Sequence, residues 1–299
     1  MPRWFSLSWG CAAAIALTGS AGASVVRSTS LPGAPAAPVY AYACSSTGSC
    51  ASYSAKGKVI ATITQGLSAP MGIATDSLGH VYVASSGNAS VVEYARGGGS
   101  VLATLQDAGN APVDVAISQS TSTVAVANAS GPSGSATIAV YKNGATTPSS
   151  TLTDPSAAKG LGVAFDDAGN CYLLYQTSGT GAVDEFAGCA GSPVATGVAG
   201  QINAIGFDGS GNLYYTVQGS GSSDTAVWKC KVLAKCRQYT AAPSTDLTAL
   251  RFDLSFSRVL LANVSQTELI LMPRRHLSPF FSIGGGVLTG LAFAYGPEY

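Results

Sequence analysis

Pro70-Met-Gly-Ile-Ala-Thr-Asp-Ser-Leu-Gly-His-Val-Tyr-Val-Ala84 reads as an apolar strand, a tight Asp-x-x-Gly turn and a second strand ending in small residues. Asp starts such turns well, and Gly supplies the positive φ they need. The pattern recurs as VDVAIS at 113–118 with TVAVAN at 123–128, LGVAFDDAGNCYLL at 161–174, NAIGFDGSGNLYYT at 203–216 and TALRFDLSFSRVLLA at 248–262. The last residue of each first strand falls at Asp76, Ser118, Asp166, Asp208, Asp253 and Ala294, giving spacings of 42, 48, 42, 45 and 41. That period is the length of a four-stranded antiparallel unit, and units of this kind assemble as radial arrays.

Within residues 70–105 the expected strands are Gly72–Thr75, His80–Ala84, Ser90–Tyr94 and Val101–Leu105. Val39-Tyr-Ala-Tyr42 matches a second strand and lacks a first strand before it. The missing copy stands at the other end of the chain, as Leu288-Thr-Gly-Leu-Ala-Phe-Ala-Tyr295. The expectation is therefore an all-β, six-bladed β-propeller closed by pairing of the C-terminal strand with the N-terminal blade, which leaves no long unpaired edge. The blades span about 38–64 with 287–295, then 70–105, 112–152, 160–196, 202–240 and 247–283, within a propeller domain at 38–299.

Residues 1–23 read as a signal peptide: Arg3, an uncharged apolar stretch from Leu7 to Thr18, then Ala21-Gly22-Ala23 before Ser24. The apolar stretch is short for a membrane span. Cys11 lacks the Leu-small-small context of a lipid-attachment site. Residues 24–37 form a Pro-, Ser- and Ala-rich flexible linker. A secreted or periplasmic location follows, in a bacterial host. Six cysteines remain, and an even count in an exported chain implies disulfides. The repeat frame pairs Cys44 with Cys50, Cys171 with Cys189, and Cys230 with Cys236. No membrane span is expected in the mature chain, which is expected to be monomeric.

Lys plus Arg balance Asp plus Glu at 15 each, and charged residues make up only 10%. No basic stripe points to nucleic acid. No phosphate loop and no nucleophile elbow between strand and helix is present.

The stretch 70–94 resembles the NHL repeat in Pro70, Gly72, Ile73, Ala74, Asp76, Gly79, Tyr82, Val83, Ala84, Gly87 and Asn88. It departs at Ser85, where the family often has Asp, and Arg251 interrupts a position otherwise held by small residues. More distantly, the chain is similar to the gluconolactonase and SMP-30-like propellers. The resemblance implies the architecture; such propellers host binding, lyase and lactonase activities.

A site on such a ring is expected at the channel mouth. Aligning the copies gives a first ring of Met71, Val113, Leu161, Asn203, Thr248 and Thr289, and a second of Gly72, Asp114, Gly162, Ala204, Ala249 and Gly290. Met71, Asp114, Asn203, Thr248 and Thr289 are the channel-mouth candidates. A divalent ion such as Ca²⁺ would need converging oxygen ligands, and Asp114, Asn203, Asn128 and Asn263 could supply part of a set that lacks a Glu. The expectation is no cofactor. The Asp residues at 76, 166, 208 and 253 read as turn formers, His80 as a turn residue and His276 as part of an exposed basic turn. Tyr82, Phe165, Tyr172, Phe207, Tyr214, Phe252 and Phe293 read as packing between blades, and Trp228 as core or rim packing. Asn88, Asn128 and Asn263 begin Asn-x-Ser sequons. The leading functional expectation is a non-catalytic module or scaffold that binds a protein or glycan. The alternative is a metal-dependent lactonase, or a lyase, at the channel mouth.

Overall fold

A computed structural model describes residues 39–218, 225–231, 235–241, 247–253, 258–263, 268–271, 278–282 and 287–294, with side chains at 263, 268–271 and 278–282 excepted. The signal-peptide, linker, Cys11 and His276 readings lie outside the described residues.

The chain is an all-β propeller, and its described residues form six four-stranded antiparallel sheets. Their strands, in hydrogen-bonding order, are as follows. Sheet 1 holds Leu288–Phe293, Ala41–Ser45, Ser49–Tyr53 and Val59–Ile63; sheet 2 holds Pro70–Thr75, Val81–Ser85, Ser90–Tyr94 and Val101–Gln106. Sheet 3 holds Pro112–Ile117, Val124–Asn128, Thr137–Tyr141 and Ser150–Thr153; sheet 4 holds Lys159–Phe165, Cys171–Thr177, Thr180–Phe186 and Val194–Gly200. Sheet 5 holds Ile202–Phe207, Asn212–Val217, Ala226–Lys231 and Cys236–Ala241; sheet 6 holds Leu247–Phe252, Val259–Asn263, Glu268–Leu271 and Ser278–Ser282. The first strand named in each sheet lies against its counterpart in the next, and Leu288–Phe293 lies against both Leu247–Phe252 and Pro70–Thr75.

The turns are made as the sequence specifies. Asp76 Oδ1 accepts the N–H groups of Leu78 and His80 at 2.9 and 2.8 Å, and Gly79 takes φ +84°. Asp166, Asp208 and Asp253 likewise accept the N–H groups of Asn170, Asn212 and Arg258 at 2.9–3.0 Å. His80 Nδ1 sits between Asp76 (3.2 Å) and Glu93 (3.1 Å), at a turn as expected.

Among the described residues the core is not one mass but six clusters, each between two neighbouring sheets. One joins sheets 2 and 3 through Val91, Leu105, Val115 and Tyr141. Others join sheets 3 and 4, 4 and 5, and 5 and 6. Another joins sheet 6 to sheet 1 through Leu260, Ala262, Leu288 and Leu291, and another joins sheet 1 to sheet 2 through Tyr42, Ile73 and Val83. Alternation along each strand sends successive side chains to opposite faces, so every sheet feeds two clusters. Each buried Ile, Leu or Val contributes about 1.5–3 kcal/mol. The repeat aromatics do pack across these seams: Tyr172 meets Phe207 at 4.4 Å between ring centroids, and Tyr214 meets Phe252 at 4.9 Å. Trp228 is half-buried and stacked on Tyr215 at 6.3 Å.

Cys44–Cys50 and Cys171–Cys189 are disulfide-bonded. Cys171 and Cys189 are brought together by the hairpin that turns at Ser178 and Gly179, both at positive φ. The third expected bridge is corrected: Cys230 and Cys236 face each other in register but are not bonded. Cys236 is the electrostatic neighbour of both the Cys230 thiol and the Tyr215 hydroxyl. Burial, with that neighbour, pushes the Cys230 thiol up to about 12.

A buried acid pair sits between sheets 3 and 4. Asp154 directly follows the outermost strand of sheet 3 and Asp184 lies in the third strand of sheet 4; they are 0% and 7% exposed. Burial, then the hydrogen bond and charge of Asp154, raise the Asp184 carboxyl to about 6. A carboxyl whose folded pKa exceeds its unfolded value stabilises the fold fully below the unfolded pKa. That stability is lost as pH rises through the folded pKa. Relative to an Asp184→Asn variant, the protein should therefore lose about 2–3 kcal/mol between about pH 4 and pH 7. Guanidinium melts of both proteins at the two pH values measure the difference; a pH-independent difference would refute the pair.

Candidate functional site

Each innermost strand carries a β-bulge near its start. The residues that the pairing skips are Met71 (with Gly72), Val113, Leu161, Asn203, Thr248 and Thr289. The first ring read from the sequence is thus a ring of bulges, and all six residues are half-buried. A bulge leaves one residue unpaired and re-aims its side chain, which places this ring at one end of the central channel.

Beyond the bulges the channel narrows to two levels of small residues. The first is Gly72, Asp114, Gly162, Ala204, Ala249 and Gly290; the second, two residues further along each strand, is Ala74, Ala116, Ala164, Gly206, Arg251 and Ala292. Each level carries one charged residue among five small ones. Asp114 and Arg251 stand on sheets 3 and 6, three steps apart in either direction along the succession of inner strands, and they form an ion pair. Asp114 Oδ1 accepts from the Arg251 guanidinium, and Oδ2 accepts the Val163 N–H at 3.1 Å. Arg251 also donates to the Leu250 carbonyl at 3.0 Å. Burial pushes the Asp114 carboxyl up from its ordinary value, while Arg251 and the N–H groups of Val163 and Val115 pull it down. The neighbours are small for a steric reason: a Cβ on Gly72 would run into Asp114, and one on Gly162 would lie 3.3 Å from its Oδ2.

This pair divides the channel. On the bulge side remains a space of about 30 Å³, lined by Asp114, Asn203, Thr248, Arg251 and Thr289 among others. Here Asn203 donates to Gln218 Oε1 at 3.1 Å and Thr289 to the Pro70 carbonyl at 2.9 Å. Thr248 Oγ1 is buried without a hydrogen-bond partner. The structure thus gathers Asp114, Asn203, Thr248 and Thr289 around one space, with room for about one water molecule. It does not add Asn128, which is fully buried and donates to Thr137 Oγ1 at 3.2 Å. The Asn263 side chain lies outside the described residues. Among the described residues no three of His, Cys, Asp and Glu gather into a metal-binding group.

On the other side of the pair lies a cavity of about 550 Å³, within the range of small-ligand sites. Its wall is the last residue of each inner strand: Thr75, Ile117, Phe165, Phe207, Phe252 and Phe293. Its rim carries Gln119, Ser120, Asp166, Asp167 and Asp253, and Arg251 forms part of its floor. Asp167 is exposed, and its carboxyl is pushed up by partial burial and by the charges of Asp166 and Asp208. Sequence reasoning placed the phenylalanines between sheets and the acids in turns, both of which hold. It did not see that these positions also close around a cavity. The available signal was the run of Phe at four successive repeats, immediately followed by carboxylates at three of them.

No protein-family model and no curated protein matches the sequence. Solved structures do resemble the fold. A chain of a nidogen/laminin complex superposes with TM-score 0.63 at 13% identity, over 86% of this chain and 98% of that one. Hydrazine synthase from Kuenenia stuttgartiensis gives 0.55 at 14%, over 76% and 71%. TolB from Acinetobacter baumannii gives 0.63 at 11%, over 86% and 66%.

Proposed function

We propose that the chain is an exported, closed six-bladed propeller that binds a partner protein through the aromatic-walled cavity, taking a side chain with an apolar body and a cationic tip. Closure is supported by six inter-sheet cores for six sheets, where an open row would have five. Pairing of Leu288–Phe293 with Ala41–Ser45 and the Thr75 Oγ1 bond to the Phe293 carbonyl at 2.7 Å support it further. Two disulfides fit an oxidising compartment. The observation that carries the binding reading is the 550 Å³ cavity itself, apolar in its wall and acidic at its rim. Carboxylates above aromatic rings attract a cation through charge and through ring quadrupoles together. That a similar propeller chain occurs in a nidogen/laminin complex is consistent with a protein partner.

The lactonase reading gains nothing from the geometry. A cation at Asp114 would have to displace Arg251, and both carboxylate oxygens are already engaged. The test is calorimetric titration with phenethylamine, with benzoate and toluene-type neutral analogues alongside. The amine should bind in the millimolar range, weaken with salt, and lose at least about threefold in Asp167→Asn. Phe165→Ala should weaken amine and neutral analogue alike. Equal affinity for benzoate and amine would overturn the reading.

A further inference from the structure

Among the described residues, two cysteine pairs share one arrangement. Cys44 and Cys50 stand directly opposite each other on neighbouring antiparallel strands, six residues apart, and are disulfide-bonded. Cys230 and Cys236 stand opposite each other in the same way and at the same separation, but as thiols. The register that carries a bridge in sheet 1 is therefore present in sheet 5. Access separates the two pairs. Cys44 and Cys50 are 0% and 1% exposed, and the other bonded pair, Cys171 and Cys189, is 0% and 2% exposed. Cys230 is buried like them, at 2%. Cys236 is half-buried, at the first position of the outermost strand of sheet 5. Of the described cysteines it alone offers a sulfur to solution.

We propose that Cys230 and Cys236 form a redox-active dithiol, a modification site that exchanges with small thiols and disulfides while the two buried bridges stay closed. Such exchange needs one accessible sulfur and a second sulfur within its reach. Cys236 supplies the first. Its sulfur attacks one sulfur of a small disulfide, RSSR. A Cys236–SR bond forms, the bond within RSSR breaks, and one RSH leaves with the Cys236 proton. Cys230 then attacks the Cys236 sulfur. The bond between the two cysteines forms, the Cys236–SR bond breaks, and a second RSH leaves with the Cys230 proton. The cysteines lose two electrons and two protons, and RSSR gains them. The order follows from burial: Cys230 is out of reach of solution, and burial and its Cys236 neighbour hold its thiol protonated. It acts only on the mixed disulfide that the hairpin holds against it. In reverse, a thiol attacks the accessible Cys236 sulfur and opens the bridge. Neither cysteine lines the cavity, so the proposal stands or falls independently of the binding reading.

The experiment uses the full chain, with oxidised and reduced glutathione as probes and peptide mass spectrometry as the readout. Under excess reduced glutathione, iodoacetamide should label Cys236 at least about tenfold faster than Cys230. Excess oxidised glutathione should convert the pair to a disulfide. Dithiothreitol should then reopen it in the folded protein and leave Cys44–Cys50 and Cys171–Cys189 closed. Closure should raise the melting temperature by roughly 3–10 °C. Cys230→Ala should stop at the first step, with one glutathione held on Cys236. Cys236→Ser should leave Cys230 unmodified under the same conditions. A pair that stays reduced in oxidised glutathione overturns the proposal. So does glutathione retained on Cys236 of the unmutated chain, which would show that Cys230 does not reach it. A bridge that resists dithiothreitol as firmly as the two buried ones would be a third structural disulfide, and overturns the proposal as well.

Discussion

A chain ending at residue 286 should lose cooperative unfolding altogether. It lacks Leu288–Phe293, the strand that pairs with Ala41–Ser45 and completes sheet 1. Three effects coincide. The backbone groups of Ala41–Ser45 lose their ladder on one side, which exposes a strand edge open to aggregation. Leu288 and Leu291 leave the core between sheets 6 and 1, and Ala292 leaves the core between sheets 1 and 2. The side-chain bonds from Thr75 to Phe293 and from Thr289 to Pro70 disappear as well. Removing a single large core side chain costs about 2–5 kcal/mol, and several go at once from a fold whose total stability is about 5–15 kcal/mol. Differential scanning calorimetry should show no sharp transition for the truncated chain. Supplying residues 287–299 as a separate peptide should restore one. A truncated chain that melts as sharply as the full one would show that sheet 1 does not need its C-terminal strand.

The second large effect belongs to the ion pair across the channel. Arg251→Ala and Asp114→Ala should each cost about 3–5 kcal/mol, because each strands one charge in a buried setting. For a domain of this size that lowers the melting temperature by roughly 6–20 °C. The double variant should cost clearly less than the sum, since neither charge is then left unpaired. Thermal melts of the three variants close the cycle, and strict additivity would mean that the two residues do not act on each other.

The repeat made the strands legible because its two devices are local. Residues 70–105 show the agreement: the strand expected at Ser90–Tyr94 is found there, and the other three differ at their ends by at most two residues. The Asp-x-x-Gly turn needs only its own backbone N–H groups, so the motif suffices to place it. The bulge ring was legible as an aligned column, although nothing in a column says that pairing skips there. What joins distant repeats was not legible. Asp114 and Arg251 are 137 residues apart, and each looks like an exception in its own column. Only the radial arrangement makes them neighbours. The same holds for Asn128, which alignment grouped with Asp114 but which turns instead toward Asp107. Cys230 and Cys236 show the converse limit. Spacing suggested a bridge between them, and the two do face each other across a hairpin, but facing positions do not decide whether two sulfurs bond.

The Asp114–Arg251 contact also bears on how slowly the molecule comes apart. The seams between sheets 2 and 3, 3 and 4, 4 and 5, and 5 and 6 join repeats that follow one another in the chain, so those contacts can form as each repeat arrives, whereas sheet 1 waits for Leu288–Phe293. The ion pair skips sheets 4 and 5 and links residues 137 apart, so it too must wait until the repeats between them are in place. Contacts made that late are absent from the folding transition state, and losing them accelerates unfolding while leaving the folding rate nearly unchanged. The pair is thus a latch on lifetime as much as a source of equilibrium stability.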